Sequence, residues 1–271
     1  MPELIEVDIY RRAAARLRGA TIDRVEVVDP RFVRPAGGAA RLRRALKGRK
    51  LGEPQRTGKL LVLPTDGASL GMRFGMTGVL GIDGDDTLEE LFYGPSRQNP
   101  AWIRLRIHTA AGILYVRDPR ILGSVELDPD VSRLGPDALA ITPTQLRDAL
   151  DGSAAALKAR LMDQQRIAGV GNLIADEVLW RAGLAPGRPA GSLDANDHRR
   201  LHRHLRRTLD DLIAAGGSHL GTMTAHRHPG GRCPRDGAEL RRSTVGGRTS
   251  WWCPRHQVTV PATSARRART R

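Results

Sequence analysis

Cysteine is almost absent from this chain. Its 271 residues include two, Cys233 and Cys253, too few for a disulfide framework, and a chain of this length builds its cores without one. Long apolar runs are missing from residues 1–20, "MPELIEVDIYRRAAARLRGA", where charges interrupt every stretch that a signal-peptide core or a membrane span needs. The expected location is cytoplasmic, with no membrane partner. Lysine is scarce: Lys47, Lys50, Lys59 and Lys158 are the four among 44 basic residues. Acidic residues number 29, which leaves a net charge of +15. Codon usage in a GC-rich genome accounts for arginine over lysine but not for the excess over acids. A field of that sign favours polyanions, because each phosphate neutralised releases counterions, and nucleic acid is the expected partner.

The pattern along the chain changes period twice. Leu4, Val7, Tyr10, Ala14 and Leu17 predict an amphipathic helix over 3–18, stopped at Gly19. Segments 21–29, 59–65, 69–82 and the pair within 102–118, joined through Ala-Ala-Gly, then read as strands, and an antiparallel β-sandwich from about 20 to 125 accommodates them. From Thr142-Pro143 the period returns to 3.6, with short helices over 153–163 and 173–183 and a longer one carrying Leu201, Leu205, Leu209 and Leu212 before Gly216-Gly217. Between the short helices, "AGVGN" (168–172) is a glycine-rich entry whose free N–H groups suit a phosphate. Any tight helix–helix turn also uses glycine. Gly246-Gly247 between two alternating runs marks a hairpin, and 264–271 reads as a disordered basic tail.

Two constellations carry chemistry. Each cysteine opens a C-P-R triplet, followed by Asp236 and His256, so 233–256 reads C-x2-D-x16-C-x2-H. Two thiolates, an imidazole and a carboxylate lie within zinc's donor range. His228 competes with Asp236 for the fourth place, and a metal-free hairpin packed on Trp251 and Trp252 is the other reading. At the opposite end, Pro2 permits removal of Met1, which leaves a secondary amine that titrates several units below lysine and is nucleophilic near neutral pH. Glu3 beside it is placed to shuttle protons. The plainer reading is that Pro2 follows the initiator and Glu3 caps a helix.

Met1-Pro2-Glu3-Leu4-Ile5-Glu6-Val7, "MDQQRIAGVGNLIADE" (162–177) and the C-terminal hairpin, taken in order, resemble the formamidopyrimidine-DNA glycosylase / endonuclease VIII family from end to end. That resemblance implies an α+β protein in five parts: an N-terminal catalytic helix and antiparallel β-sandwich domain (1–125), a linker (126–141), a helix–two-turn–helix domain (142–217), a zinc-finger β-hairpin (218–260) and the basic tail (261–271). It implies DNA between the two main domains, in a monomer that is nucleoid-associated, binds damaged double-stranded DNA and carries one structural Zn2+ but no small-molecule cofactor. The implied activity is a bifunctional DNA glycosylase and AP lyase of base excision repair.

Residue by residue, the resemblance makes Pro2 the nucleophile, with Glu3 and Lys59 beside it in catalysis. Asn172 and Arg248 match the pair that grips the kinked backbone. Met76, Arg120 and Leu122 match the side chains that fill the gap left by an extruded base, and Cys233, Asp236, Cys253 and His256 match the metal ligands. Glu6 and Glu177 match acids whose roles, in catalysis or in capping, stay open. Met76 is equally a candidate for the core.

Four departures from the family pattern stand out: Ile5 for a second proline, Arg73 for a histidine, Leu122 for a phenylalanine, and Asp236 with His256 for two cysteines. Only Ser218–Arg232 separates Gly217 from Cys233, too short for the long segment that folds over 8-oxoguanine in the formamidopyrimidine branch. The expectation is therefore endonuclease VIII-like specificity. The alternative is a catalytically impaired protein of the same fold that binds lesions or abasic sites. An RNA-binding protein built on the helix pair would leave the M-P-E start unexplained.

Overall fold

The computed structural model describes residues 2–35, 37–88, 91, 94 and 99–257. The basic tail and the end of the hairpin segment, from 258 onward, lie outside the described residues. The chain divides into two compact units: residues up to Asp137 together with Leu212–His219, and Ala138–Asp211 together with Leu220 onward.

The first unit opens with α1 (Leu4–Ala14), continued by a 3-10 turn to Leu17 and stopped where Gly19 takes a φ of +82°. It then runs through β1 (Ile22–Val27), β2 (Val33–Arg34), α2 (Ala39–Leu46), β3 (Gln55–Thr57), β4 (Leu60–Leu63), β5 (Leu70–Arg73), β6 (Val79–Ile82), β7 (Asp85–Asp86), β8 (Ile103–Thr109), β9 (Gly112–Arg117) and β10 (Ser124–Leu127). One sheet has the order β1-β8-β9-β6-β7 and the other β2-β10-β5-β4-β3. All neighbours are antiparallel except β10 and β2. Alternate residues of β8 point inward: Leu105, Ile107 and Thr109 are buried. Leu105 and Ile107 meet Leu61, Leu63, Leu70, Met72 and Val125 of the other sheet in one core, which Val7 and Tyr10 of α1 and Leu42 and Leu46 of α2 also enter. A sandwich with a helix docked on it is the result.

Segment 69–82 is not one strand. The chain turns at Phe74–Gly78, where Gly75 adopts a φ of +57° and the Gly78 amide bonds back to Phe74 O at 2.8 Å, so β5 and β6 fall in different sheets. The two glycines of R-F-G-M-T-G supply the freedom that this reversal needs. The helix α2 has no counterpart in the sequence reading.

The second unit contains α3 (Pro143–Leu150), α4 (Leu157–Met162), α5 (Asn172–Ala182), most of α6 (Ala195–Ala215), β11 (Arg241–Val245) and β12 (Arg248–Trp252). Thr142 caps α3 through a capping box with Gln145, as Thr-Pro foretells. The helix expected over 153–163 starts later, at Leu157, because Ala156 bridges to Pro189 and Ala155 O accepts the Ala190 amide. Gly183, at a φ of +66°, caps α5 in the left-handed conformation. No helix among the described residues is long and apolar enough to cross a membrane.

Candidate functional site

In the first unit the start of α1 is held by carboxylates. The Glu3 amide donates to Glu6 Oε2 at 2.7 Å, and the two residues form a capping box. Glu6 Oε1 accepts the Ser218 amide at 2.6 Å. Pro2, Glu3, Glu6 and Ser218 are all buried. One carboxylate therefore fixes both the peptide that follows Pro2 and the turn after α6. The capping roles left open for Glu3 and Glu6 are real in this structure, and they position Pro2 without excluding chemistry there.

Helix α1 packs against β3, β4 and β6. Lys59 sits in the turn between β3 and β4. Asp137 clamps that turn, accepting the Gly58 amide at 2.6 Å and the Arg56 guanidinium at 2.7 and 3.0 Å, while Arg56 also donates to Gly58 O at 2.8 Å. The Tyr10 hydroxyl, on the buried face of α1, donates to Gly78 O at 3.1 Å. This bond ties the helix to the turn that carries Met76.

Met76 lies in that β5–β6 turn and is not part of the core. The turn between β9 and β10 brings Arg120 to it, with Arg120 Nη1 3.7 Å from Met76 Sδ. Leu122 in the same turn is 49% exposed.

In the second unit Gln164 staples the entry to α5. Its side chain donates to Met162 O and Val170 O at 2.7 and 3.0 Å and accepts the Gly169 amide at 2.9 Å. Asn172 is the first residue of α5, and its buried Oδ1 has no hydrogen-bond partner among the described residues. Asn172 thus stands at a helix N-terminus, where the helix dipole favours an anion. Arg248 is exposed at the tip of the β11–β12 hairpin, opposite Val245, where Gly246 and Gly247 at φ +56° and +72° make the tight turn.

Among the described residues no hydrogen bond joins Asn172 to Arg248, but Asp176, one turn along α5, grips the hairpin strand. It accepts Ser250 Oγ at 2.9 Å and the Trp251 amide at 3.2 Å, and pairs with Lys158 at 2.7 Å and Arg227 at 2.9 Å. Lys158 also donates to Thr249 O at 3.0 Å. Glu177 is the next residue, buried, accepting the Met223 amide at 2.7 Å and pairing with Arg181. Its role here is to fix the chain after α6.

At the hairpin base, one ligand atom from each of Cys233, Asp236, Cys253 and His256 lies within 4.8 Å of the others. Cys233 Sγ is 3.7 Å from His256 Nδ1, against the ~3.6 Å that a tetrahedral zinc imposes on a sulfur–nitrogen edge. The His256 Nε2 side faces Trp180 O at 3.2 Å, which leaves Nδ1 as the ligand nitrogen. Cys233 Sγ accepts the Trp180 indole at 3.3 Å and the Arg235 amide at 3.4 Å, bonds that suit a thiolate. Burial pushes the Cys253 thiol up to about 11, so its thiolate form needs a cation beside it. Burial works against ionisation of Asp236 too, but the Ala238 amide, His256 and both thiols hold its carboxyl below the usual range. The donor set fits a structural zinc. His228 is exposed, faces Pro229 O and stands outside the cluster, so Asp236 and not His228 belongs to the group that could hold a metal ion.

Comparison with known proteins follows this layout. Residues 1–125 match the model of the formamidopyrimidine-DNA glycosylase N-terminal domain and residues 134–224 that of the formamidopyrimidine-DNA glycosylase H2TH domain. A formamidopyrimidine-DNA glycosylase of Thermus thermophilus is 35% identical over 96% of this chain and 100% of its own length. This chain belongs to the formamidopyrimidine-DNA glycosylase family. Two structures of Lactococcus lactis Fpg, one with abasic-site DNA and one with DNA containing an oxidised pyrimidine, superpose with a TM-score of 0.79, at 27% identity, over 93% of this chain and 98% of theirs.

Within the family pattern, the departures have local explanations. Ile5 is buried in α1. Arg73 at the end of β5 pairs with Glu126 of β10 at 3.4 Å. Sequence reasoning missed Arg56, Asp137, Lys158, Asp176 and Asp118. One signal was available for Lys158: it is a lone lysine in a helix of an arginine-rich chain.

Proposed function

We propose that this glycosylase excises damaged bases from double-stranded DNA through the amine of Pro2 and then cuts the strand by elimination. Once Met1 is removed, the Pro2 nitrogen attacks C1′, and the base leaves with the electrons of the glycosidic bond. The Pro2 nitrogen gives up its proton, and its lone pair then opens the sugar at the C1′–O4′ bond, O4′ taking up a proton, to leave a C1′ iminium that acidifies the C2′ proton. Its removal sends the electron pair into the iminium, whose return expels the 3′ phosphate. Glu3 serves the proton transfers, and Lys59 holds a phosphate next to the extruded nucleotide. Asn172 and Arg248 grip the backbone and carry no base information, while Met76, Arg120 and Leu122 occupy the space the base vacates.

The observation that carries this reading is the double hold of Glu6 on the Glu3 amide and on Ser218, which fixes the buried peptide that follows Pro2. Cys233, Asp236, Cys253 and His256 would hold a zinc ion whose contribution is to fix the hairpin that presents Arg248.

The preferred lesions in this reading are oxidised pyrimidines and ring-opened purines rather than 8-oxoguanine. Support comes from the segment after α6. Ser218 is tied to Glu6, Met223 to Glu177, Arg227 to Asp176 and Gly231 to Leu240, and no span between successive ties exceeds four residues. Nothing is left over to fold across a base.

Borohydride reduction in the presence of abasic-site DNA tests the reaction. A covalent adduct at Pro2 is expected; retained binding without an adduct identifies a lesion-binding protein instead.

A further inference from the structure

Asp118 is fully buried at the end of β9, yet among the described residues no cation pairs with its side chain. Arg104 reaches only its backbone carbonyl, at 2.7 Å. The carboxylate is spent on two turns. Oδ1 accepts the Thr77 hydroxyl at 2.6 Å and the Arg120 amide at 3.2 Å, and Oδ2 accepts the Gly123 amide at 2.7 Å. Thr77 follows Met76 in the β5–β6 turn. Arg120 and Gly123 bracket Leu122 in the β9–β10 turn.

The two turns also touch backbone to backbone. A Cβ on Gly75 would lie 2.6 Å from the Gly123 nitrogen, and one on Gly123 would lie 2.5 Å from Arg73 O. Between Arg120 and Leu122, Ile121 has a φ of +53°. That is a strained value for a β-branched residue, and it persists only where the surroundings over-determine it. Asp118 supplies that determination from below, while Arg120 and Met76 meet at 3.7 Å above.

We infer that Asp118 is a positioning residue that locks the Met76 turn to the Arg120–Leu122 turn, so that the three side chains enter the duplex as one preformed wedge. The inference rests on the reading of these three as gap fillers. A preformed wedge matters only where a base must be withdrawn from a stack. A lesion in a single strand has no stack to hold open.

Excision of dihydrouracil from a duplex and cleavage of an abasic site in a single-stranded oligonucleotide, measured side by side, separate the possibilities. Asp118→Asn, which replaces one acceptor with a donor, should slow the duplex reaction ~10²-fold, the loss expected from a displacement of about 1 Å, with single-strand cleavage near wild type. Thr77→Val should act in the same direction from the other turn, and Thr77→Ser, which keeps the hydroxyl, should restore the duplex rate. Equal losses on both substrates would mean that Asp118 merely holds the fold and would overturn the inference, as would unchanged rates on both. Leu122→Ala serves as the control for the wedge itself. If it lowers the duplex rate selectively and Asp118→Asn does not, the positioning role fails alone. If Leu122→Ala leaves the duplex-to-single-strand ratio unchanged, the wedge reading fails first and the inference with it.

Discussion

Glu3 and Glu6 close the first turn of α1 on each other, with the Glu3 amide 2.7 Å from Glu6 Oε2. The second oxygen of Glu6 is taken by Ser218, 212 positions away in the chain. Glu6→Ala leaves two buried N–H groups without acceptors, at about 1–3 kcal/mol for each. Glu6→Gln retains one acceptor and should lose less. Thermal melts should rank the two variants in that order. Borohydride trapping should fall in the same order, most for Glu6→Ala, in which the peptide following Pro2 loses its acceptor altogether.

Pro2→Gly removes the secondary amine but leaves a terminal one. Base excision should drop steeply, while affinity for abasic-site DNA, measured by gel shift, stays nearly intact because Lys59, Asn172 and Arg248 are untouched. A preparation that retains Met1 should behave like the variant. Wild-type turnover by either protein would remove Pro2 from the mechanism.

Local patterns in the sequence were sufficient for α1, the β8–β9 hairpin, α5 and the hairpin base, because each is written in consecutive residues: a 3.6 period, an alternating run, a glycine pair, a ligand spacing. Helix α2 escaped notice because eight residues rich in arginine, entered from Gly38 without a side-chain cap, give neither a start signal nor a long period. The polar residues that orient the candidate site escaped for a different reason. Lys158 bonds to Thr249, 91 positions on, and Asp118 to Thr77, 41 positions back. Such pairings follow from the assembled fold, and no local pattern encodes them. The break of segment 69–82 was legible in its two glycines, yet its apolar alternation masked it.

Lys158 and Asp176 form a fully buried pair beneath β12. Lys158→Met strands the Asp176 carboxylate with Arg227 as its remaining ionic partner and should destabilise the protein by about 3–5 kcal/mol, the usual effect of breaking a buried pair. Because Asp176 also holds Ser250 and Trp251, DNA affinity should weaken at temperatures where the protein is still folded. Melting curves and binding isotherms on the same samples check both effects.

Metal analysis should return one zinc ion per chain. Asp236→Ala and His256→Ala should lose it, His228→Ala should keep it, and Asp236→Cys should bind it more tightly, since a thiolate replaces an oxygen donor. Trp180 offers a signal, because its indole donates to Cys233 at 3.3 Å; chelation should shift its fluorescence. Asp176 grips the strand near Arg248 independently of the metal, so chelation should weaken DNA binding less than Arg248→Ala does.

The proposed lesion preference rests on the ties along Ser218–Arg232. Discrimination of 8-oxoguanine from guanine needs groups that reach the edge of the extruded base, and polar recognition of that kind gives large selectivity only when buried donors and acceptors go unpaired with the wrong ligand. In this chain the Ser218 and Met223 amides are already engaged by Glu6 and Glu177, and Leu220 between them offers an exposed apolar side chain. With these two amides engaged, the expected outcome is selection of bases by shape rather than by a covering loop. Dihydrouracil and thymine glycol should therefore be excised faster than 8-oxoguanine opposite cytosine, and ring-opened purines should be accepted, while abasic sites, which have no base to read, are cut regardless. Single-turnover rates on these four substrates in one sequence context decide the matter: a faster rate for 8-oxoguanine than for either oxidised pyrimidine would show that recognition does not depend on a long covering segment in this enzyme.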